Sequence, residues 1–258
     1  MSYLRYLGLV VLLSILVSAC GTEGKNVQQE PISAAYARFK QGEEAYAKKN
    51  YARAIEHWQA VRDMYHTTEL TTLTERKIAD AHYAAGQTIE AIAGYENFLR
   101  QHPGHSHTRD ILLRLGRAHF SEMRSADRDQ TATRNALATF EQIQRNYPQA
   151  EDSAEIESLI QQCKDRLAEN ELYIAEFYLK TKRYAPARAR LEQLRQTYPT
   201  FSALPSAEFL LGKAYYFTDA KQESVTILRN LESRTQDDSL RKQIQKFLTD
   251  HNLNDHNL

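Results

Sequence analysis

From Ile32 to about Leu248, apolar residues return every three or four positions, the interval that gathers them on one face of a helix. No stretch alternates apolar with polar as a half-buried strand would. Self-comparison of these segments predicts five helical hairpins. Their second helices carry a small residue at Ala54, Ala91, Ala136, Ala187 and Ser224. Four residues on stands a large one: Trp58, Tyr95, Phe140, Leu191 and Leu228. Twelve residues on comes Pro103, Pro148 or Pro199, replaced by His66 in the first repeat and Gln236 in the fifth. The first helices have their own small residue at Gly42, Ala79, Gly116, Ala175 and Gly212, twelve residues ahead of its counterpart in four repeats. In the third repeat the interval is twenty, which predicts an eight-residue insertion near residues 121–131. Small residues let two antiparallel helices approach closely, and the large residue fills the next groove. Proline cannot continue a helix, so it ends each repeat.

This pattern resembles the tetratricopeptide repeat. The expected fold is all-α: a tetratricopeptide-repeat α-solenoid of five helical hairpins plus a C-terminal capping helix, with repeats 1–3 over residues 32–149 and repeats 4–5 over 150–236. Residues 237–258 are expected to hold the capping helix, near 238–248, and a tail frayed from His251.

The first thirty residues obey another pattern. Arg5 precedes a mostly apolar run over residues 7–17, too short to span a bilayer as a helix and therefore read as a signal peptide over residues 1–19. Ser18-Ala19-Cys20 then resembles the lipobox of bacterial lipoproteins. That resemblance implies cleavage before Cys20, acylation of its thiol and new amine, and attachment to a membrane through the N-terminal lipid. Several acyl chains at about 0.8 kcal/mol per buried CH₂ make a lasting anchor. Gly21 follows the cysteine, where aspartate would signal inner-membrane retention, so an outer-membrane address on the periplasmic face is expected. Residues 20–31 read as the lipidated cysteine and a polar tether.

Charge narrows the classes. Lys+Arg and Asp+Glu both number 33, and such a balance argues against a general nucleic-acid binder. With Cys20 lipidated, Cys163 has no partner for a disulfide and is expected to be a small buried residue. There is no phosphate loop, no GxSxG and no HExxH, so neither an enzyme nor a cofactor is expected. His102, His105 and His107 cluster between repeats 2 and 3; a metal site is conceivable, but without a fourth ligand a plain turn is the favoured reading. Asp127 and Asp129 lie two apart and do not face each other on a helix; Asp129 is expected to cap the helix starting near Gln130.

Two groups remain as candidate binding residues. The first helices of tetratricopeptide arrays line the concave groove, which puts Tyr36, Phe39, Tyr46, Tyr83 and Phe120 on or near it; filling the interhelical core is an equal alternative. Lys180, Lys182, Arg183, Arg188, Arg190 and Arg195 form a basic cluster around the fourth hairpin, with Glu192 the one acid among them. A solvated face is the competing reading, and Glu169, Glu171 and Glu176 could neutralise part of it. Arg190 is expected beside the buried stripe of its helix, guanidinium outward.

Three blocks resemble the BamD family of outer-membrane β-barrel assembly lipoproteins. They are the lipobox with repeats soon after; Asp127-Arg128-Asp129 followed by Arg134, Ala136, Phe140 and Tyr147-Pro148; and residues 164–168 (KDRLA) followed by Glu171, Ala175-Glu176, Tyr178, Arg190 and Tyr198-Pro199. The first repeat departs from the family with Tyr65-His66, and an Asp-Tyr pair is missing near Arg109 and Asp110. The resemblance implies binding of the membrane-embedded BamA subunit by the C-terminal repeats, through Arg183, Arg188 and Arg190. It implies other assembly-complex lipoproteins as partners, and unfolded outer-membrane proteins received in the N-terminal groove. The alternative is a tetratricopeptide scaffold lipoprotein of pilus or cell-envelope assembly, which explains the anchor and repeats but not the insertion or the block at 164–168.

Overall fold

A computed structural model describes residues 32–64 and 69–253, and the signal peptide, Cys20, the tether, Tyr65-His66 and residues 254–258 lie outside the described residues. Among the described residues every regular element is a helix: α1 (Ile32–Ala47), α2 (Tyr51–Met64), α3 (Glu69–Ala84), α4 (Thr88–Gln101), α5 (Thr108–Ser121), α6 (Thr131–Asn146), α7 (Ser153–Lys180), α8 (Tyr184–Thr197), α9 (Leu204–Phe217), α10 (Lys221–Arg234) and α11 (Asp238–Asp250). Each helix packs on the next, so α1–α10 form five successive hairpins and α11 closes the row.

The register read from the sequence is the register of the packing. Ala54, Ala91, Ala136, Ala187 and Ser224 are all fully buried, and so, within a per cent, are Trp58, Tyr95, Phe140, Leu191 and Leu228. A methyl group on Gly42 would lie 2.4 Å from the Trp58 ring, one on Gly116 2.6 Å from Phe140, and one on Gly212 2.5 Å from Leu228. Only glycine permits those crossings. In the fifth hairpin the Ser224 hydroxyl donates to the Gly212 carbonyl at 2.7 Å, tying the two small positions together.

The turns inside the hairpins share one device. Lys49, Gly86, Lys182 and Asp219 all have φ between 52° and 79° and each stands seven residues after the first-helix small residue. The amide after each, from Asn50, Gln87, Arg183 and Ala220, donates back to Ala45, His82, Tyr178 and Tyr215, as left-handed helix caps do. The third hairpin lacks this turn because the insertion replaces it with an ordered loop over residues 122–130. The Gln130 amide donates to the Ser125 and Arg128 carbonyls, and Asn170 on α7 donates to the Ala126 carbonyl at 2.6 Å. The Asp129 carboxylate accepts the Thr131 amide at 2.9 Å from one residue outside the cap position, which Gln130 itself occupies.

α7 runs for 28 residues, twice the length of its neighbours α8–α10. Ile156, Ile160 and Cys163 in its first half complete the core of the third hairpin around Phe140 and Ile143, and Ala168 and Ala175 belong to the core of the fourth and fifth. One helix thus joins the core of the third hairpin to that of the fourth and fifth. Cys163 is fully buried and free, and burial pushes its thiol up to about 12, with Glu141 adding to the shift. The frayed tail expected from His251 is corrected: the His251 ring lies 4.2 Å from Phe247 and 4.5 Å from Tyr216, and Leu253 is buried. Its apolar partners on α9 and α11 hold the segment down as far as Leu253.

Candidate functional site

The first helices α1, α3 and α5 stack side by side and are joined by ion pairs one repeat apart. Lys77 reaches Glu43 at 3.0 Å, Arg76 reaches Asp110 at 3.4 Å and Arg114 reaches Asp80 at 3.1 Å, each across 34 residues. Asp80 also accepts from the Tyr95 hydroxyl at 2.8 Å; burial, and then that carboxylate, raise the Tyr95 phenol far above its ordinary range. The α3–α5 contact is therefore fixed by charge as well as by packing.

Beside this ladder lies a cleft of about 400 Å³. α1 contributes Tyr36 and Phe39, α3 contributes Glu69, Leu70, Leu73 and Arg76, α4 contributes Phe98, and the turn into α5 contributes His105 and His107. The five candidate groove aromatics divide. Tyr36 is 58% exposed at the cleft and Phe39 forms part of its wall while its ring packs 6.3 Å from Trp58. Tyr46 lies in the core of the first hairpin between Tyr51 and Trp58, and Phe120 packs 6.3 Å from Phe140 in the third. Tyr83 is exposed at the far end of α3, away from the cleft lining. Arg76 and the histidine turn belong to the cleft, and the sequence flagged only the histidines, as a turn.

The basic cluster divides in the same way. Arg188 pairs with Glu192 at 2.9 Å and lies over the Tyr215 ring at 4.6 Å. Arg190 pairs with Glu171 on α7 at 2.7 Å and stays 40% exposed. Arg195 and Arg234 close from two sides on Glu208, whose side chain is 5% exposed. Lys180, Lys182 and Arg183, in and beside the exposed turn of the fourth hairpin, meet no acid among the described residues. Tyr184 at the start of α8 stacks on Phe217 at 4.4 Å, and Tyr173 and Phe177 are more than half exposed on α7. A second cleft, about 510 Å³, opens between Arg195, Tyr215 and the α10 residues Gln222, Glu223, Thr226, Ile227 and Asn230.

No group of three or more His, Cys, Asp or Glu among the described residues is placed to hold a metal ion. His102 donates its Nε2–H to the Glu75 carboxylate at 2.7 Å. None of the described helices is long and apolar enough to cross a membrane.

Comparison with known proteins adds a family to this geometry. Curated relatives named outer membrane protein assembly factor BamD include one from Caulobacter vibrioides, 25% identical over 83% of this chain and 70% of its own length. The Neisseria gonorrhoeae relative is 24% identical over 87% and 89%, and the Vibrio cholerae relative 26% over 89% and 98%. A looser likeness runs to the TPR2AB-domain:pHSP90-complex of yeast Sti1, with a TM-score of 0.43 and 12% identity over 86% of this chain and 87% of that one. A family model described as outer membrane lipoprotein matches residues 30–227, from the start of the first hairpin into the second helix of the fifth. The chain belongs to that family, the YfiO or BamD outer membrane lipoproteins.

Proposed function

We propose that this protein is an outer-membrane protein assembly factor, anchored through lipid on Cys20 to the periplasmic face of the outer membrane, and that it works by binding rather than catalysis. The family match across residues 30–227 carries the reading. The N-terminal cleft receives unfolded outer-membrane protein, and the C-terminal repeats hold a BamA-like β-barrel subunit. Support for the first is a cleft that sets the apolar Phe39, Leu70, Leu73 and Phe98 beside polar and charged groups, with Tyr36 exposed at its edge. Support for the second is the basic surface of the fourth hairpin.

The arginines divide that work. Arg190 and Arg188 each give one edge of the guanidinium to an internal carboxylate, but five N–H donors leave an exposed edge for a second. Arg183 is exposed and meets no acid among the described residues. Purification of the tagged chain from detergent-solubilised outer membranes tests the partner. A BamA-like subunit and further assembly lipoproteins are expected to co-purify. Arg183→Glu and Arg190→Glu are expected to reduce that yield at least tenfold, as loss of charge pairs at an interface does. Recovery of pilus or other envelope components in place of the barrel subunit would favour the scaffold reading instead.

A further inference from the structure

The insertion in the third hairpin lines neither cleft, yet it is closely built and fastened to a later helix. Gln130 holds it together from inside. Its buried side chain donates to the Ser125 and Arg128 carbonyls at 2.9 and 3.0 Å and accepts the Thr133 hydroxyl at 2.8 Å. The Arg128 amide donates to the Ser125 carbonyl as well, closing the loop on itself. Two contacts then tie the loop to α7. The Met123 sulfur lies 3.9 Å from Cys163 Sγ, against the core of the third hairpin, and Asn170 Nδ2 donates to the Ala126 carbonyl at 2.6 Å. Residues 163 and 170 are two helical turns apart, so both grips fall on one face of α7, about 10 Å from each other.

The stretch they bracket is the junction of two cores. Ile156, Ile160 and Cys163 pack with Phe140 and Ile143, whereas Ala168 and Ala175 pack with Leu191 and Leu211. Between them stand Lys164, Asp165 and Arg166, engaged in polar contacts. Lys164 reaches Glu141 at 3.3 Å, Asp165 accepts from Gln161 at 2.9 Å and Arg166 reaches Glu169 at 3.0 Å. Among the described residues α7 is the one helix that enters both clusters. Units with separate cores move relative to each other unless a large apolar interface joins them, and long helices bend. α7 by itself would leave this joint compliant.

We propose that the insertion is a splint. Gripping α7 at Cys163 and Asn170, it fixes the angle between hairpins 1–3 and hairpins 4–5. It thereby sets how the N-terminal cleft stands relative to the basic surface of the fourth hairpin. Asn170 is a positioning residue: it lines neither cleft and acts through the loop it holds. The stiffening stands on geometry alone. Its use, keeping a bound substrate within reach of the membrane subunit, rests on the reading of the two surfaces given above. A fixed span holds two partners at a high effective concentration, and a slack one dilutes it.

Spin labels at Glu90→Cys in the second hairpin and Lys221→Cys in the fifth, both exposed, measure the distance between the halves of the full chain; Cys163 is buried out of the label's reach. With Asn170 intact, one narrow distance distribution is expected. Asn170→Ala, and Asn170→Asp, which keeps the shape but loses the N–H donors, are expected to broaden it while the melting temperature holds. An unchanged width in both variants overturns the splint. The same two variants, unlabelled, then replace the chain in its own host, and pulse-labelled outer-membrane barrels are followed to their folded form. Folding is expected to slow roughly threefold to tenfold, as a severalfold drop in effective concentration would cause. The separate affinities of the purified variants for an unfolded barrel and for the membrane subunit are expected to stay at the wild-type value. Normal folding by a chain whose distances have broadened overturns the use assigned to the splint. A fall in either separate affinity does the same, since Asn170 would then act on that surface directly. A wild-type chain that fails to restore folding overturns the reading of the two surfaces instead, and the distance measurement still decides the stiffening.

Discussion

At the scale of single residues, what matters most is the absence of atoms. Gly42, Gly116 and Gly212 each lie so close to a large side chain of the facing helix that a single methyl would collide. On the facing helix of the third hairpin Ala136 is fully buried, while Ala138 two residues on is exposed. Ala136→Leu is therefore expected to cost about 1–3 kcal/mol by overpacking, and Ala138→Leu almost nothing. Thermal melts of the two variants decide it, and equal losses would mean that the register is wrong. These positions were legible in the sequence because close approach admits only small residues, and five copies of one spacing cannot be mistaken for a local accident. The partners of the arginines were not legible. Arg190 meets Glu171 across nineteen residues and Arg76 meets Asp110 across 34, and neither interval has meaning until the helices are laid side by side. The same blindness hid Arg76 from the cleft, since nothing local in the sequence singles out one arginine on a polar helix.

At the scale of helices, the fifth hairpin is held by an asymmetric clamp. Glu208 on α9 is buried, while its partners Arg195 on α8 and Arg234 on α10 are each about half exposed at 53% and 48%. Removing the carboxylate leaves two guanidiniums that water can still reach. Removing both arginines leaves a buried charge with no counter-ion, which is the costlier defect. Arg195→Ala/Arg234→Ala is accordingly expected to destabilise by about 3–5 kcal/mol and Glu208→Gln by distinctly less. Denaturant melts with amide exchange along α9 check the order, and a reversed order would show that the clamp does not hold the hairpin. Element boundaries followed the sequence closely where proline or a left-handed turn stops a helix. The length of α7 did not, because residues 153–180 offer no proline or glycine to mark where the third hairpin's core gives way to the fourth's. The insertion was countable as an interval of twenty, yet its path depends on Asn170 of a later helix holding the Ala126 carbonyl, a contact 44 residues apart.

At the scale of the whole molecule, the two ends of the solenoid carry different chemistry. The N-terminal half has a cleft of mixed apolar and polar lining edged by histidine and arginine; the fourth hairpin has a basic, aromatic-edged surface whose cations Lys180, Lys182 and Arg183 meet no acid among the described residues. Of the five groove aromatics expected from helix register alone, Tyr36 and Phe39 meet at the cleft, while Tyr46 and Phe120 serve the core. Register fixes which helix faces the groove but not how deep a ring sinks between neighbours. The proposed function has the two surfaces hold a substrate and a membrane subunit at once, and that joint task is the centre of the account. Depletion of this chain in its own host, with pulse-labelled outer-membrane barrels followed by their resistance to unheated detergent, tests it most directly. The account predicts that newly made barrels stay unfolded on depletion, that the wild-type chain restores folding, and that Cys20→Ser does not. Barrels that fold at the normal rate without the chain would contradict it.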